Sequence, residues 1–290
     1  MRDRTTLVRF WGTRGSVPSP GRNKTRYGGN TSCVEVTLPG SRCIIIDGGT
    51  GIRELGNDLI RRKRKLKATI LLSHYHWDHI QGLPFFAPAY HRIHSLTVCG
   101  CRHSQFPLEK IFSSQMESIH FPVKSSALAA DIRFREITPG AHSLDGAELA
   151  VMRSNHPGIT FSYALGLDGR KIVYMTDNEL LPGAREGRSH IPFNRDEFTR
   201  FIKRADLLIH DAQYSDREYA AKRGWGHSPW KEAVRLGAEG EVKHLILFHH
   251  DPDHADSVID EQVRECRTII RKMNAPMKCS AAQEGKTVCL

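Results

Sequence analysis

The sequence predicts an α/β protein, an αββα four-layer sandwich with two mixed β-sheets flanked by helices, and three observations lead there. Short apolar runs recur along the chain, several of them solidly apolar, as strands covered on both faces are. Helical patterns fall between some runs and not others, so strands meander at both ends, unlike a simple doubly wound sheet. Polar clusters also collect where apolar runs stop, and loops at one sheet edge can converge on one site.

In chain order, TSCVEVTL (31–38) and RCIIID (42–47) read as strands, followed by a helix over 51–62. That helix closes on RRKRKLK (61–67), cations at the negative pole of its dipole. No aromatics interleave with them, so the run reads as a solvated helix end and not as a nucleic-acid patch. ATILLS (68–73) and SLTVCG (95–100) are the next strands, with Cys99 and Cys101 as small core fillers. A helix over 105–118 precedes DIRFREI (131–137), AELAVMRS (147–154), FSYALGL (161–167) and KIVYMTD (171–177). Helices over 196–204, 215–222, 228–237 and 255–273 then alternate with ADLLIHD (205–211) and HLILFHH (244–250). No repeat or low-complexity linker interrupts the chain, so residues 1–290 read as one domain.

Composition narrows the function classes. The apolar and charged fractions are those of a globular protein. No apolar run reaches the roughly 18–20 residues that span a bilayer, and MRDRTTLVRFWG lacks the apolar core of a secretory signal. The seven cysteines then read as reduced thiols, and the expected location is cytoplasmic, with no membrane partner. Forty-two basic against 32 acidic residues give +10, which favours a phosphate-bearing partner.

The densest signal is SHYHWDHIQG at 73–82. His74 and His76, one residue apart in a loop, can turn to one cation, each giving a ring nitrogen at about 2.0–2.1 Å. Asp78 and His79 offer an oxygen and a nitrogen to a second cation, which implies a binuclear site with ions roughly 3.5–4 Å apart. Burying such groups unpaired costs several kcal/mol, so packing alone does not account for them. Further donors stand at later strand ends: His156 in SNHPG, Asp177 in YMTDN and His249 or His250 in LFHH.

HxHxDH followed by His, Asp and His at successive strand ends resembles the metallo-β-lactamase superfamily, from FWGTRGS (10–16) to the chain's end. The resemblance implies that superfamily's αββα fold. It places His74, His76 and His156 on one metal and Asp78, His79 and His249 on the other, with Asp177 bridging. Strand-end alignment selects His249 over His250. Asp47 in IIIDGGTG resembles the early Asp motif that supports the ligands without binding metal. The ions implied are two divalent metals, Zn²⁺ foremost, with Mn²⁺ or Fe²⁺ as alternatives. His142, His190, His244 and His254 match no motif and read as surface or structural residues.

Three segments bear on the branch. FWGTRGSVPSPGRNKTRYGGNTSCVEV resembles the glycine-rich start of RNase Z-like and phosphonate-operon phosphodiesterases, with Arg14, Ser16 and Tyr27 as candidate pocket residues. HDAQ (210–213) and GHSP (226–229) resemble the tRNA 3′-processing nuclease pattern, which makes His227 the proton donor and Asp211 its orienting partner. Asp in place of Glu shortens that reach by one methylene. Ser228-Pro229 also reads as a helix N-cap with proline at the first position. Third, residues 80–155 show none of the long basic, Gly-rich arm that tRNA nucleases use.

The resemblance therefore implies a binuclear hydrolase that cleaves phosphodiester bonds of a small nucleotide, such as a cyclic nucleotide, by a metal-bridging hydroxide. Asp78 serves there as ligand and proton acceptor. The alternatives are an RNase Z-like tRNA 3′-processing endoribonuclease with RNA as partner, a thioesterase of the same fold, or a non-catalytic nucleotide-binding protein. His76 stands where flavodiiron proteins carry Glu, which argues against redox chemistry. Zinc β-lactamases are exported and lack the full Asp–His pair. Relatives of this kind imply a homodimer.

Overall fold

The structure is a computed structural model that describes residues 5–38, 42–181 and 194–290. His190 and the first four residues lie outside the described residues. The chain divides into two compact units, one of Met1–Pro18, Gly28–Thr138 and Gln283–Leu290, the other of Ser19–Tyr27 and Pro139–Ala282.

The first unit holds β1 (Leu7–Gly12), β2 (Cys33–Leu38), β3 (Arg42–Ile46), α1 (Gly51–Arg61), β4 (Lys67–Leu71), α2 (Trp77–Ile80), β5 (Ser95–Cys101), α3 (Leu108–Ser114) and β6 (Asp131–Ile137). The second holds β7 (Gly140–Leu144), β8 (Ala147–Arg153), β9 (Phe161–Leu167), β10 (Arg170–Met175), α4 (Arg195–Ile202), β11 (Leu207–Asp211), α5 (Asp216–Lys222), α6 (Trp230–Glu239), β12 (His244–Phe248), α7 (Asp256–Lys272) and β13 (Lys278–Ala281). A last strand, β14 (Thr287–Cys289), returns to the first unit.

Each unit carries one mixed seven-stranded sheet, in the order β14-β1-β2-β3-β4-β5-β6 and β13-β12-β11-β10-β9-β8-β7. In the first, β14 to β3 pair antiparallel and β3 to β6 parallel. In the second, β7 to β10 are antiparallel and β10 to β13 parallel. The central parallel strands are the solidly apolar ones: Ile45, Ile70 and Val98 pack with Leu55 and Phe86, Ile44 and Ile46 are buried as well, and Leu208, Leu245 and Leu247 pack with Phe198, Ala233 and Cys266. Parallel strands need crossovers, and α1 and α6 supply them with one apolar face each. The antiparallel strands β7–β8 and β9–β10 are joined by Asp145-Gly146 and Asp168-Gly169, all four residues at positive φ, as tight hairpins require.

Helix limits agree with the sequence to within two residues except at α3, read over 105–118 and found at Leu108–Ser114. The basic run corrects slightly: only Arg61 is helical, and Arg62 turns back to bond Glu35 and Asp58. Helix α6 starts at Trp230, two residues later than read, and Pro229 takes the N-cap position in place of Ser228. Six cysteines are buried thiols, Cys99 and Cys101 among them, and Cys289 is exposed. Among the described residues no helix is long and apolar enough to cross a membrane.

Candidate metal centre

Nearly every site residue read from the sequence follows the carboxyl end of a strand, where sheets of parallel strands place their binding loops. Three do so with strained backbone: Asp47 after β3, Asp177 after β10 and His249 after β12 have φ of 62°, 48° and 61°. Positive φ is uncommon outside glycine and collects at functional positions.

In the first unit, β4 runs into Ser73 and His74, and His76 caps α2, which carries Asp78 and His79. The His74 ring lies 4.5 Å from that of His76 and 4.2 Å from that of His79. Asp47 holds the cluster from behind. Its Oδ1 accepts the Ser73 N–H at 2.7 Å, and its Oδ2 accepts the Ser73 hydroxyl at 2.9 Å and faces His79 Nδ1 at 2.8 Å. Fixing Nδ1–H on the carboxylate turns the Nε2 lone pair toward Asp78, whose Oδ2 is 3.2 Å away. Asp78 Oδ2 also accepts the backbone N–H of Ser16 at 2.7 Å. Gly49 permits this crowding, since a Cβ there would stand 2.3 Å from the Asp78 carbonyl oxygen.

In the second unit the same device recurs. His156 Nδ1 donates to the Gly226 carbonyl at 3.0 Å, and His249 Nδ1 to Gln213 Oε1 at 3.1 Å. Their Nε2 atoms then face the two oxygens of one carboxylate: His156 lies 3.8 Å from Asp177 Oδ2 and His249 3.3 Å from Asp177 Oδ1. Two donors at about 2.0–2.1 Å from one tetrahedral ion stand about 3.4 Å apart, so Asp177 is spaced to share one oxygen with each histidine. His250 turns elsewhere, its Nε2 3.0 Å from the Ala282 carbonyl.

His227 and Asp211 come together, His227 Nδ1 lying 2.6 Å from Asp211 Oδ2. The shorter carboxylate reaches because Asp211 is the last residue of β11, and the N–H groups of Gln213 and Ser228 clamp its Oδ1 at 3.1 Å each. The His227 ring stacks on His249 at 5.0 Å and meets the edge of Tyr214. Asp177, Asp211, His227 and His249 each bring a ligand atom within 4.8 Å of the others. Neighbouring His210 is wholly buried, and burial lowers its pKa.

Two positioning residues escaped the sequence reading. Gln213 aims His249, and its place in HDAQ was the available signal. Glu179 is buried and accepts from the Tyr219 hydroxyl at 2.5 Å and from the N–H groups of Gly224 and Gly226 at 2.8 and 3.1 Å, fixing the loop that carries His227. Nothing in TDNEL distinguished it from a surface carboxylate. Of the candidate pocket residues, Arg14 is fully buried and holds the Gly28 carbonyl at 2.8 Å. Tyr27 gives its hydroxyl to Asp260 at 2.8 Å, and burial with that bond pushes its phenol up to about 12. His244 meets Ser280 and His254 meets Glu218, as structural histidines do.

Two mixed seven-stranded sheets with flanking helices, and buried imidazoles and carboxylates at the strand ends, define the chain as an α/β protein of the metallo-β-lactamase fold. It belongs to the family described as the Beta-lactamase superfamily domain, whose model matches residues 42–250. It is 22% identical to the ribonuclease Z of Picrophilus torridus, over 87% of this chain and 88% of that one. The fold is shared with the metallo-β-lactamase fold protein YhfI of Bacillus subtilis at a TM-score of 0.71 and 19% identity, covering 99% of this chain and 100% of that one. A diphosphatase of the PhnP family superimposes with a TM-score of 0.68 at 18% identity, covering 98% and 97%.

Proposed function

We propose that the chain hydrolyses phosphodiester bonds of a small nucleotide, such as a cyclic nucleotide, with two divalent cations, Zn²⁺ foremost. The donors would be His74, His76 and His156 for one ion, Asp78, His79 and His249 for the other, and Asp177 shared, in a chain that forms a single domain over residues 1–290. The observation that carries this reading is Asp177, which turns one oxygen to His156 and the other to His249. When bound, such a pair supplies an activated water and offsets charge on the phosphoryl oxygens.

The chain's own residues do the rest. Asp47, Gly226 and Gln213 hold Nδ1–H of His79, His156 and His249, so that each ring presents Nε2. His227, fixed through Nδ1 by Asp211, presents its Nε2 proton to the departing oxygen. Asp78 accepts a proton from the attacking water. The basic excess draws anionic substrate in.

A second reading, a tRNA 3′-processing nuclease, is favoured by the ribonuclease Z relatives and by the His227–Asp211 pair. The test is a panel of 3′,5′- and 2′,3′-cyclic nucleotides, a pre-tRNA and a thioester, with metal content measured on the same protein. Two equivalents of metal with cyclic-nucleotide turnover is the expected result. Release of a pre-tRNA trailer alone moves the assignment to the nuclease, and thioester cleavage alone rejects both. Size-exclusion chromatography tests the proposed homodimer.

A further inference from the structure

Among the described residues of the second unit, Trp225 is the only exposed tryptophan, tyrosine or phenylalanine, at 46%. Of the other tryptophans, Trp11 is buried with its Nε1 on Glu35 at 3.0 Å, and Trp230 is buried in the core of the second unit. Trp77, 77% exposed, opens α2 between His76 and Asp78. The backbone around Trp225 is held on three sides. Glu179 accepts the N–H groups of both its neighbours, Gly224 at 2.8 Å and Gly226 at 3.1 Å. The N–H of Trp225 itself donates to the Lys222 carbonyl at 3.1 Å. Both glycines turn at positive φ, 80° and 91°, and every residue from Gly224 to Trp230 is buried except Trp225. The same loop builds the site. The Gly226 carbonyl holds His156 Nδ1 at 3.0 Å, a Cβ on Gly226 would stand 2.6 Å from Pro157 Cδ, and His227 comes next. Two residues separate the Cα atoms of Trp225 and His227 by at most about 7.6 Å.

We infer that Trp225 is the platform on which the base of the nucleotide stacks, so that the substrate is held at both ends. The inference rests on the small-nucleotide reading for the place of the phosphate, and it names the residue that recognises the heterocycle. His227, fixed by Asp211, gives its proton to the departing oxygen, and the sugar that carries that oxygen also carries the base. The indole two residues before His227 therefore stands on the leaving-group side, whereas Trp77 flanks two proposed metal donors. A flat indole offers its face to any base, because every base has a π-face. Its backbone is fixed before a ligand arrives, which avoids an ordering cost on binding. Stacking reads no hydrogen-bonding edge of the base. Trp225 accordingly selects a base over none and discriminates little among bases.

The test compares the wild type, Trp225→Ala, Trp225→Phe and Trp77→Phe as metal-loaded protein. Turnover is read on adenosine 3′,5′-cyclic phosphate and on its base-free 1-deoxyribose counterpart. Trp225→Ala should lower the ratio of kcat/KM for nucleotide over counterpart by about tenfold or more, mainly through KM, as loss of one stacked base does. Trp225→Phe, which keeps a ring face, should retain most of that ratio. Binding is read separately, by quenching of indole fluorescence on adding adenosine 5′-monophosphate, with ribose 5-phosphate as the base-free control. The nucleotide should quench more than the sugar phosphate, and the difference should vanish in Trp225→Phe and persist in Trp77→Phe. This second measurement needs no turnover. Trp225-dependent quenching in a chain that hydrolyses neither ester would support the platform while the proposed activity fails. An unchanged ratio in Trp225→Ala would overturn the inference: equal loss on both esters makes the indole a prop for His227, and no loss leaves it idle. Quenching lost in Trp77→Phe and kept in Trp225→Phe would also overturn it, by moving the base to α2. So would a change of oligomeric state in Trp225→Ala with both nucleotide measurements unmoved, since the indole would then be a contact between copies.

Discussion

The residues of the site differ in what they are asked to do, and substitution can separate them. Removing His227 deletes a proton donor but leaves the donors fixed by Asp47, Gly226 and Gln213 in place. His227→Ala should therefore slow turnover of a natural nucleotide ester by about a hundredfold with metal content retained. A p-nitrophenyl ester is the wrong probe, because that leaving group needs little protonation. Gly226 is the counterpart. A Cβ there would stand 2.0 Å from His156 Nδ1, and φ of 91° strains any other residue. Gly226→Ala should cost about tenfold or more in metal affinity, the scale of losing an orienting partner, measured by competition with a chelating dye. Metal retention by Gly226→Ala, or unchanged turnover by His227→Ala, would remove that residue from the scheme. The donor types were legible because four metal-binding side chains in six residues have no packing explanation. Gln213 and Glu179 were not, since orienting a ring is a matter of geometry that residue type does not announce.

Among the elements, legibility followed burial. The central parallel strands β3–β5 and β10–β12 were plain as apolar runs because both their faces are covered. The strands that escaped are β1, with glycines just beyond it, and β7, β13 and β14, which are short or exposed and stand at sheet edges, where few apolar residues are needed. The helix α2 was read as loop because its four residues carry chemistry in place of periodicity. Helix α5 makes a prediction at this scale. Ser215 and Glu218 form a reciprocal capping box, and Glu218 also meets His254 at 2.8 Å. Burial alone would raise the Glu218 pKa, but the bonds from His254 and Ser215 bring it down to about 2 from the ordinary 4.5. A depressed carboxylate stabilises the fold above its unfolded pKa, and that contribution is lost as pH falls through the folded value. The Tm gap between wild type and Glu218→Gln should therefore be constant above about pH 4.5 and close progressively toward pH 2. A gap that persists unchanged at low pH would mean that the carboxylate charge contributes nothing.

At the scale of the whole molecule, each unit has its own sheet and apolar core. The proposed donors are His74, His76, Asp78, His79, His156, Asp177 and His249. Buried imidazoles and carboxylates gathered without a cation are a cost to the folded chain. A cation that binds only the folded state repays it by mass action, about 4 kcal/mol for each ion at a thousandfold excess over Kd. For a chain of this size 1 kcal/mol shifts Tm by roughly 2 °C, so stripping both ions should lower Tm by roughly 10 °C or more. Scanning calorimetry of protein as purified, after exhaustive chelation and after Zn²⁺ is restored reads this directly. Zn²⁺ should recover both the midpoint and hydrolysis, and restoring one equivalent should recover less than half of the activity if both ions act together. A chelated protein proved metal-free, with Tm unmoved, would mean that these side chains hold no ion in the folded chain. The proposed chemistry would then fail with them.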